Sequence, residues 1–303
     1  MSRLDPLRER LLGRAAPSDE SPIIEPLTHE ALAGLRLSWL SRFNASTLAA
    51  HLEEHPGLSL WVPATGEYIV GERWRRRDDI GGIVEVTARR GRQALIEALT
   101  GLLHAAGSKL VVLGTDVWPD QTRMWLDLGF GAVERIVFFE RDLPRRAGEL
   151  EFPGVPDLGI ERAGLDDIDA LVSVDHASFP WLWWNNADEF DNYLVLPDVR
   201  AYMALDGGQP VGYASYTMYN GWAHLDRLAV VQAHQGRRFG AAQLVHALRL
   251  MVEEGARSVS LSTQENNVQS HRLYRGFAFK QSRDSMYIYG KELDAAAGDT
   301  DVP

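Results

Sequence analysis

Cysteine is absent from this 303-residue chain. Disulfides, thiolate nucleophiles and cysteine-held metals are therefore excluded, and any thiol chemistry must arrive with a cofactor. Long apolar runs are also missing: no stretch approaches the roughly 18–20 consecutive apolar residues of a membrane-spanning helix. Met1–Pro22 carries Arg3, Arg8, Arg10 and Arg14 but lacks the apolar centre of a secretory leader. Together these absences read as a cytoplasmic chain without membrane contact. Positive charge is in deficit, with a net charge of -11. That argues against general nucleic-acid binding, which runs on phosphate neutralisation. No metal constellation is visible either, since His224 and His234 have no cysteine partner at ligand spacing.

What is present is an ordinary globular composition, 45% apolar and 24% charged, on a length that suits two domains. Pro144, Gly148, Pro153, Gly154 and Pro156 mark residues 143–158 as a linker. This divides the chain into a tail (1–21), a first domain (22–142), a second domain (159–292) and a disordered tail (293–303). In the first tail, Leu4, Leu7, Leu11 and Leu12 have helical spacing, so it is either a docking helix or a frayed terminus.

The two halves repeat one another. Gly107–Thr115 lines up with Gly255–Thr263, and Leu128-Gly129-Phe130 lines up with Phe277-Ala278-Phe279. Each β-rich run follows a helical pattern, Leu95, Leu99, Leu102, Leu103 in one half and Leu244, Leu248, Met251, Val252 in the other. Each helix ends at a glycine, as a C-terminal cap prefers. In the second half, strands are expected near Gly159–Glu161, Arg200–Leu205, Val211–Met218, Ala223–Val230 and Ser258–Ser262, with a last strand within Phe277–Tyr289. Helices are expected over Leu165–Ala177, Ala187–Leu194, from Arg238 or Phe239, and over Val268–Arg275. Hairpins mixed with crossovers imply an α/β (α+β) domain whose mixed, mostly antiparallel sheet carries helices on its faces.

Two segments carry chemistry. In His224–Leu244 an apolar strand enters a loop with two glycines and two arginines, which runs straight into a helix. Unpaired N–H groups and the dipole of a first helical turn suit an anion, and glycine lets a phosphate approach; a plain connection has the same pattern. In Thr263–Phe279 an Asn-rich turn, with Asn266 or Asn267 as cap, starts a helix that carries Tyr274 on its last turn.

In this order, the two segments resemble the GNAT N-acetyltransferase superfamily. Gln235-Gly236-Arg237-Arg238-Phe239-Gly240 is similar to its pyrophosphate loop, and Asn267-x-x-Ser270-x-x-Leu273-Tyr274 followed by Ala278-Phe279 is similar to its later signature. The resemblance covers about Ile160–Tyr289 well and the first half weakly. It implies two tandem GNAT-like domains and acetyl-CoA as co-substrate, with an amine acceptor on a small molecule or protein N-terminus and no metal. It implies that Leu228, Ala229 and Val230 offer backbone groups to the pantetheine amides, and that Arg237, Arg238, Phe239, Gly240 and Ala241, after Gln235 and Gly236, cradle the pyrophosphate. Asn267, with Ser270 beside it, would hold the pantetheine arm, and Tyr274 would protonate the leaving thiolate. Arg238 and Ala278 depart from the pattern, standing where the family has glycine.

The attacking amine must be neutral, which calls for a base. His224 stands where many relatives carry a glutamate, and strand alternation puts Asp226 on the same face as His224 and Leu228. In Ser178–Asn186, three tryptophans in four residues form either a wall of the acceptor site or a core contact. The first half lacks this equipment. Arg92, Trp118 and Trp125 stand at the positions of Gly240, Asn267 and Tyr274, so that half reads as a degenerate copy. Its arginines, Arg73, Arg75, Arg76, Arg77, Arg89, Arg90 and Arg92, form a basic cluster, solvated or facing an anion. The layout is similar, in architecture, to mycothiol synthases, and Phe179-Pro180-Trp181 is faintly similar to ribosomal-protein alanine acetyltransferases. The rival reading is a non-catalytic acyl-CoA-binding or scaffold protein.

Overall fold

The computed structural model of the chain describes residues 22–116, 119–150, 152 and 156–293. The tail 1–21, Trp118, linker residues Pro153 and Gly154, and the tail beyond residue 293 lie outside the described residues. The chain forms two compact units, one of residues up to Val70 with Glu85–Gly101, the other of Gly71–Val84 with Leu102 onward.

In the first unit, β1 (Glu25–Pro26), β2 (Ser59–Val62) and the start of β3 (Glu67–Arg73) are antiparallel neighbours. Helix α1 (Ala45–Glu54) begins with a reciprocal cap: Thr47 N donates to Asn44 Oδ1 at 3.0 Å, and Asn44 N donates to Thr47 Oγ1 at 2.9 Å. Glu85, on the far part of β4 (Ile80–Thr87), accepts from Tyr68 Oη at 2.6 Å. Helix α2 (Arg92–Ala105) buries Leu95 and Leu99 as its spacing predicts.

The second unit continues with β5 (Leu110–Asp116), α3 (Pro119–Asp127), β6 (Gly131–Asp142), β7 (Gly159–Arg162), α4 (Ile168–His176), α5 (Ala187–Leu194), β8 (Val199–Asp206), β9 (Gln209–Tyr219), β10 (Trp222–Val230), α6 (Phe239–Glu253), β11 (Ser258–Gln264), α7 (Val268–Gly276) and β12 (Lys280–Glu292). The elements expected in the second half are all found. One differs in kind: Leu165–Asp167 is a tight 3-10 turn, with helix only from Ile168. The last strand also runs on to Glu292, past the expected Tyr289. The sheet is mixed and mostly antiparallel; β4–β5 and β10–β11 are parallel pairs.

The strand order within this unit is β4-β5-β12-β6-β11-β10-β9-β8-β7. The last strand of each half therefore lies in the other half's sheet. Met286–Glu292 of β12 pairs with β5, and Ile136–Asp142 of β6 pairs with β11. The 143–158 boundary follows the chain, but the hydrogen bonding does not. Ile288 of β12 is fully buried among Ile80, Val112, Ile136 and Leu182. The larger core lies under α6, where Leu244, Leu248, Met251 and Val252 meet Phe139, Val259, Leu261 and Tyr274. Each such side chain contributes about 1.5–3 kcal/mol by leaving water. In α2, by contrast, Leu102 of the expected apolar set is 40% exposed. No helix among the described residues is long and apolar enough to cross a membrane.

The repeat is visible in the helix ends. Ser108 N bonds Leu103 O at 3.0 Å and Ala256 N bonds Met251 O at 2.8 Å, with Gly107 (φ 100°) and Gly255 (φ 99°) in the left-handed region between. The next pair of helices ends in the same way: Phe130 N bonds Trp125 O at 2.9 Å and Phe279 N bonds Tyr274 O at 3.0 Å. Here the left-handed position is Gly129 (φ 83°) in one repeat and Ala278 (φ 59°) in the other. A side chain at that φ costs about 1–2 kcal/mol, against the 0.5–1 kcal/mol entropic cost of glycine. Ala278→Gly should therefore raise stability by about 0.5–1 kcal/mol, read as a higher urea midpoint at unchanged m-value. The exchanged strands give a second expectation. With the chain cut inside 143–158, neither fragment alone should unfold cooperatively, whereas the co-expressed fragments should purify as one complex with a cooperative transition. A stable fragment 156–303 on its own would contradict the exchange.

Candidate active site

The cleft begins where two parallel strands part. β10 and β11 are paired only from Trp222↔Ser258 to Leu225↔Leu261, yet β10 continues to Val230 and β11 to Gln264. A cleft of about 1110 Å³ opens beyond the fork. It brings together Asp226, Leu228, Ala229, Val230, Gln235, Gly236, Arg238, Phe239, Gly240, Ala241, Asn267, Ser270 and Tyr274. His224 and Arg237 are not in its lining. Arg237 turns to Asp206, with Nη1 2.7 Å from Oδ2, and its guanidinium lies 4.4 Å from the Phe239 ring centre.

The loop before α6 turns at Gly236 (φ 79°) and again at Arg238 (φ 65°). Arg238 thus adopts the left-handed conformation for which the family pattern uses glycine, and it immediately precedes the helix. The N–H groups of Phe239, Gly240 and Ala241 belong to a first turn, which has no intrahelical acceptors for them. Among the described residues no side chain accepts from these three or from the N–H of Gly236. Gln235 braces the loop instead, donating from Nε2 to Val230 O at 3.1 Å. Gln243 on α6 donates to Ala229 O at 3.0 Å. Gly212 permits that bond, because a Cβ there would stand 2.4 Å from Ala229 O and 2.6 Å from Gln243 Nε2. Of the three residues expected to offer backbone groups to pantetheine, Ala229 and Val230 therefore already give their carbonyls to the protein's own side chains.

The first half's counterpart of this loop is filled from within. Arg89 N and Arg90 N donate to Glu67 Oε1 at 2.7 and 2.9 Å, and Gly91 N donates to Oε2 at 2.9 Å. A carboxylate thus takes up all three of these N–H groups. Burial alone would raise the Glu67 pKa, but the three backbone donors hold it below its ordinary value.

On α7, Asn267 Oδ1 caps the helix by accepting from Ser270 N at 3.1 Å. Tyr274 is 6% exposed, its ring 5.8 Å from Phe139 and 5.7 Å from Phe279. Burial pushes its pKa up to about 12, against a smaller opposing effect of a hydrogen bond with Ser270. Trp125, its counterpart in the first half, packs edge-on against Phe130 at 5.3 Å and carries no hydroxyl.

The base candidates separate. A bulge at Asp226 interrupts the β9–β10 register, so His224 pairs with Thr217 and Arg227 with Ser215, while Leu225 and Leu228 pair with Tyr216 and Ala214. The inserted residue shifts the alternation. Leu228 therefore faces the α6 core with Leu225, not the side of His224 as simple alternation predicts. His224 Nδ1 is 2.9 Å from Ser260 Oγ, and burial lowers its pKa while Asp226 raises it. Asp226 accepts hydrogen bonds from Tyr193 Oη and, at 2.7 Å, Thr217 Oγ1. Burial raises its pKa, with those two bonds opposing.

The remaining wall includes residues that sequence reasoning did not assign. Trp183 lines the cleft and donates from Nε1 to Glu134 Oε2 at 2.6 Å. Burial raises the Glu134 pKa. Glu134 lies on exchanged β6, so no local motif could have announced it. Phe179 and Trp183 line the cleft, whereas Trp184 stacks on His176 at 4.4 Å. The tryptophan segment thus both lines the cleft and packs within the fold. The basic cluster is not simply solvated: Arg77 is buried, Arg75 lines the cleft, and both bond the tryptophan segment.

The Glu67 contacts yield a prediction. A carboxylate with a depressed folded pKa stabilises fully above its unfolded value, near 4.5, and loses that contribution as pH falls through the folded value below it. Glu67→Gln should cost about 1–2 kcal/mol at pH 7 by urea unfolding and flatten the acid limb of the stability profile.

The sequence model of the family described as "Acetyltransferase (GNAT) family" matches residues 168–279. No curated protein matches the sequence. Among solved structures, a GCN5-related N-acetyltransferase from Sphaerobacter thermophilus aligns over 90% of this chain and 96% of its own, at 15% identity and TM-score 0.60. One from Kribbella flavida aligns over 90% of this chain and 71% of its own, at 17% identity and TM-score 0.60. A tandem GNAT protein from the clavulanic acid biosynthesis pathway aligns over 91% and 99%, at 15% identity and TM-score 0.57. The chain has the fold of these proteins, and its residues 168–279 match the sequence model of the GNAT family.

Proposed function

We propose that the protein transfers an acetyl group from acetyl-CoA to a primary amine by direct attack, in the cleft between β10 and β11. The observation that carries this reading is the contrast between the two loops. Among the described residues no side chain accepts from the N–H groups of Phe239, Gly240 and Ala241, whereas those of Arg89–Gly91 are taken by Glu67. The second half would hold the pyrophosphate at Gly236–Ala241, and the first half, residues 22–142, would be a degenerate copy that binds none.

The pantetheine arm would run along Leu228–Val230, with Asn267 Nδ2 available to it, since Oδ1 is spent on the cap. The thioester would then lie by Asp226 and Tyr274, which line the same cleft. Asp226, in the cleft lining, is the better placed of the two bases; His224 is committed to Ser260 outside it. A raised pKa makes Asp226 a stronger base toward the acceptor ammonium once deprotonated. The neutral nitrogen attacks the thioester carbonyl, the C–S bond breaks, and CoA leaves as a thiolate that takes the Tyr274 proton. Burial keeps Tyr274 protonated at neutral pH. The nitrogen gives up two protons in turn, one as the ammonium and one after attack; each passes to Asp226 and on to solvent, and solvent reprotonates Tyr274.

Calorimetric titration with acetyl-CoA should give one site per chain, and an amine screen should then show turnover. Tyr274→Phe should lower kcat about tenfold or more while acetyl-CoA binding persists. In the native chain kcat/KM should rise with pH through the Asp226 ionisation, above the ordinary carboxylate value of 3.8, and Asp226→Asn should remove that limb. Binding without turnover on any amine would favour the scaffold reading, and two sites per chain would refute the degenerate first half.

A further inference from the structure

Two arginines line the cleft without a role in the transfer chemistry above. Arg227 donates from Nη2 to Trp183 O and lies 3.2 Å from Asp175 Oδ2. Arg75 donates from Nη1 to Asn185 Oδ1. Although part of Arg75 reaches solvent, its guanidinium is enclosed by protein. The Nε atoms of both arginines are buried without a hydrogen-bond partner. Aromatic rings cover the flat faces, Phe179 4.3 Å from the Arg227 guanidinium and Trp183 5.3 Å from that of Arg75. The rings leave the planar edges, where Nε lies, to seek an acceptor.

The local charges do not close. Asp175 is fully buried, and its oxygens already accept from Asn185 N at 2.8 Å and Tyr213 Oη at 2.6 Å besides facing Arg227. It neutralises one guanidinium of the two. Glu189 pairs with Arg76 at 3.6 Å, and Glu134 and Asp226 are engaged by Trp183 and by Tyr193 and Thr217. Among the described residues Arg75 has no ion-pair partner within 4.0 Å, and the positive charge of Arg227, after burial, helps lower its pKa to about 10. The fold also strains to place Arg75 here. Arg75 and Arg76 are consecutive left-handed residues (φ 53° and 55°), held by Trp74 Nε1 on Leu182 O at 2.9 Å and Asn186 Nδ2 on Arg76 O at 3.0 Å. Strain of this kind persists where the surroundings over-determine it, commonly at a binding site.

We propose that the Arg75 and Arg227 guanidiniums bind a carboxylate on the acceptor, so that the substrate class is an amine that also carries a carboxylate, such as an amino acid. The inference rests on the transfer reading for the identity of the ligand as the acceptor. A planar carboxylate matches a guanidinium edge with two parallel N–H···O bonds, and the Nε donors belong to that edge. Asp226 then serves the amino end and the arginines the carboxylate end of one molecule.

The test compares N-acetyl amino acids of varied side chain with their amides, titrated into CoA-saturated protein by ligand-observed NMR. These are the products of the proposed reaction, and their binding needs no turnover. The acids that bind should do so about tenfold or more tightly than their amides. Arg75→Gln should bring the ratio near one while CoA titration is unchanged, and Arg75→Lys should retain part of it. Amides that bind as tightly as acids, no binding by any acid, or an equal effect of Arg75→Gln on both would overturn the proposal. Should Arg75→Gln not fold, the acid–amide ratio on the native chain and Arg75→Lys decide alone. Acids that bind selectively in a protein that acetylates no amine would sink the transfer reading and leave the carboxylate site standing.

Discussion

The pairing of β6 with β12 is the constraint on which the rest of the second unit depends. Each half of the sequence ends in a strand that completes the other's sheet, so β12 separates β5 from β6 and β6 stands beside β11. Unpaired strand edges are thereby avoided in the middle of the sheet. The exchange also decides who builds the cleft. Glu134 and Ile136 come from β6 and Met286 from β12, and all three line it. Arg75, from the segment before β4, joins them. The first half therefore supplies walls to the cleft beyond the β10–β11 fork.

Two local irregularities turn this sheet into a site. Parallel pairing of β10 with β11 stops after Leu225, leaving backbone edges that a linear arm can meet. In the next residue the bulge at Asp226 changes the phase of the strand. Leu225 and Leu228 stay with the α6 core, while Arg227 turns to Phe179 and buried Asp175. A regular strand would have put Leu228 and Arg227 on exchanged faces and taken Arg227 away from Phe179 and Asp175. Asp175 is the anchor on that side: one fully buried carboxylate ties α4, β9, β10 and the tryptophan loop through Tyr213, Arg227 and Asn185. Removing a partner from such a cluster leaves an uncompensated buried charge, which is costly, so the cluster fixes Arg227 firmly.

Much of this was legible in the sequence, and for a common reason: the readable features are local. Helix spacing, Asn caps and left-handed glycines depend on residues within one or two turns, so α5, α6 and α7 fall where their patterns place them. The loop Gln235–Ala241 and the Asn267–Tyr274 helix reach one cleft because a strand–helix–strand unit brings them there by short connections. What the sequence did not reveal is non-local or subtle. Exchange of β6 and β12 leaves no trace in either strand's alternation, so Glu134 could not be assigned. The bulge adds one residue without a glycine or proline to mark it, so His224, Asp226 and Leu228 were placed on one face. Arg75 and Arg77 were read as part of a basic cluster because neither the tryptophan loop nor Asp175 adjoins them in the chain.

The two loops differ in whether a side chain of the protein fills them. Both offer consecutive N–H groups at a helix start, and both would pay if buried without an acceptor. In the first half the acceptor is Glu67, already tethered to the fold. Its effective concentration is set by geometry rather than by supply, and it gives up no translational freedom on binding. A dissolved phosphate would have to displace it and leave a carboxylate without its donors. Among the described residues of the second half no side chain accepts from the N–H groups of Gly236, Phe239, Gly240 or Ala241. Arg238 in the left-handed position adds strain there but also a positive charge, which an occupied first-half nest would not need. On the proposed reading, closure of the first loop by its own side chain, rather than decay of its backbone shape, would leave the anion site to the second half.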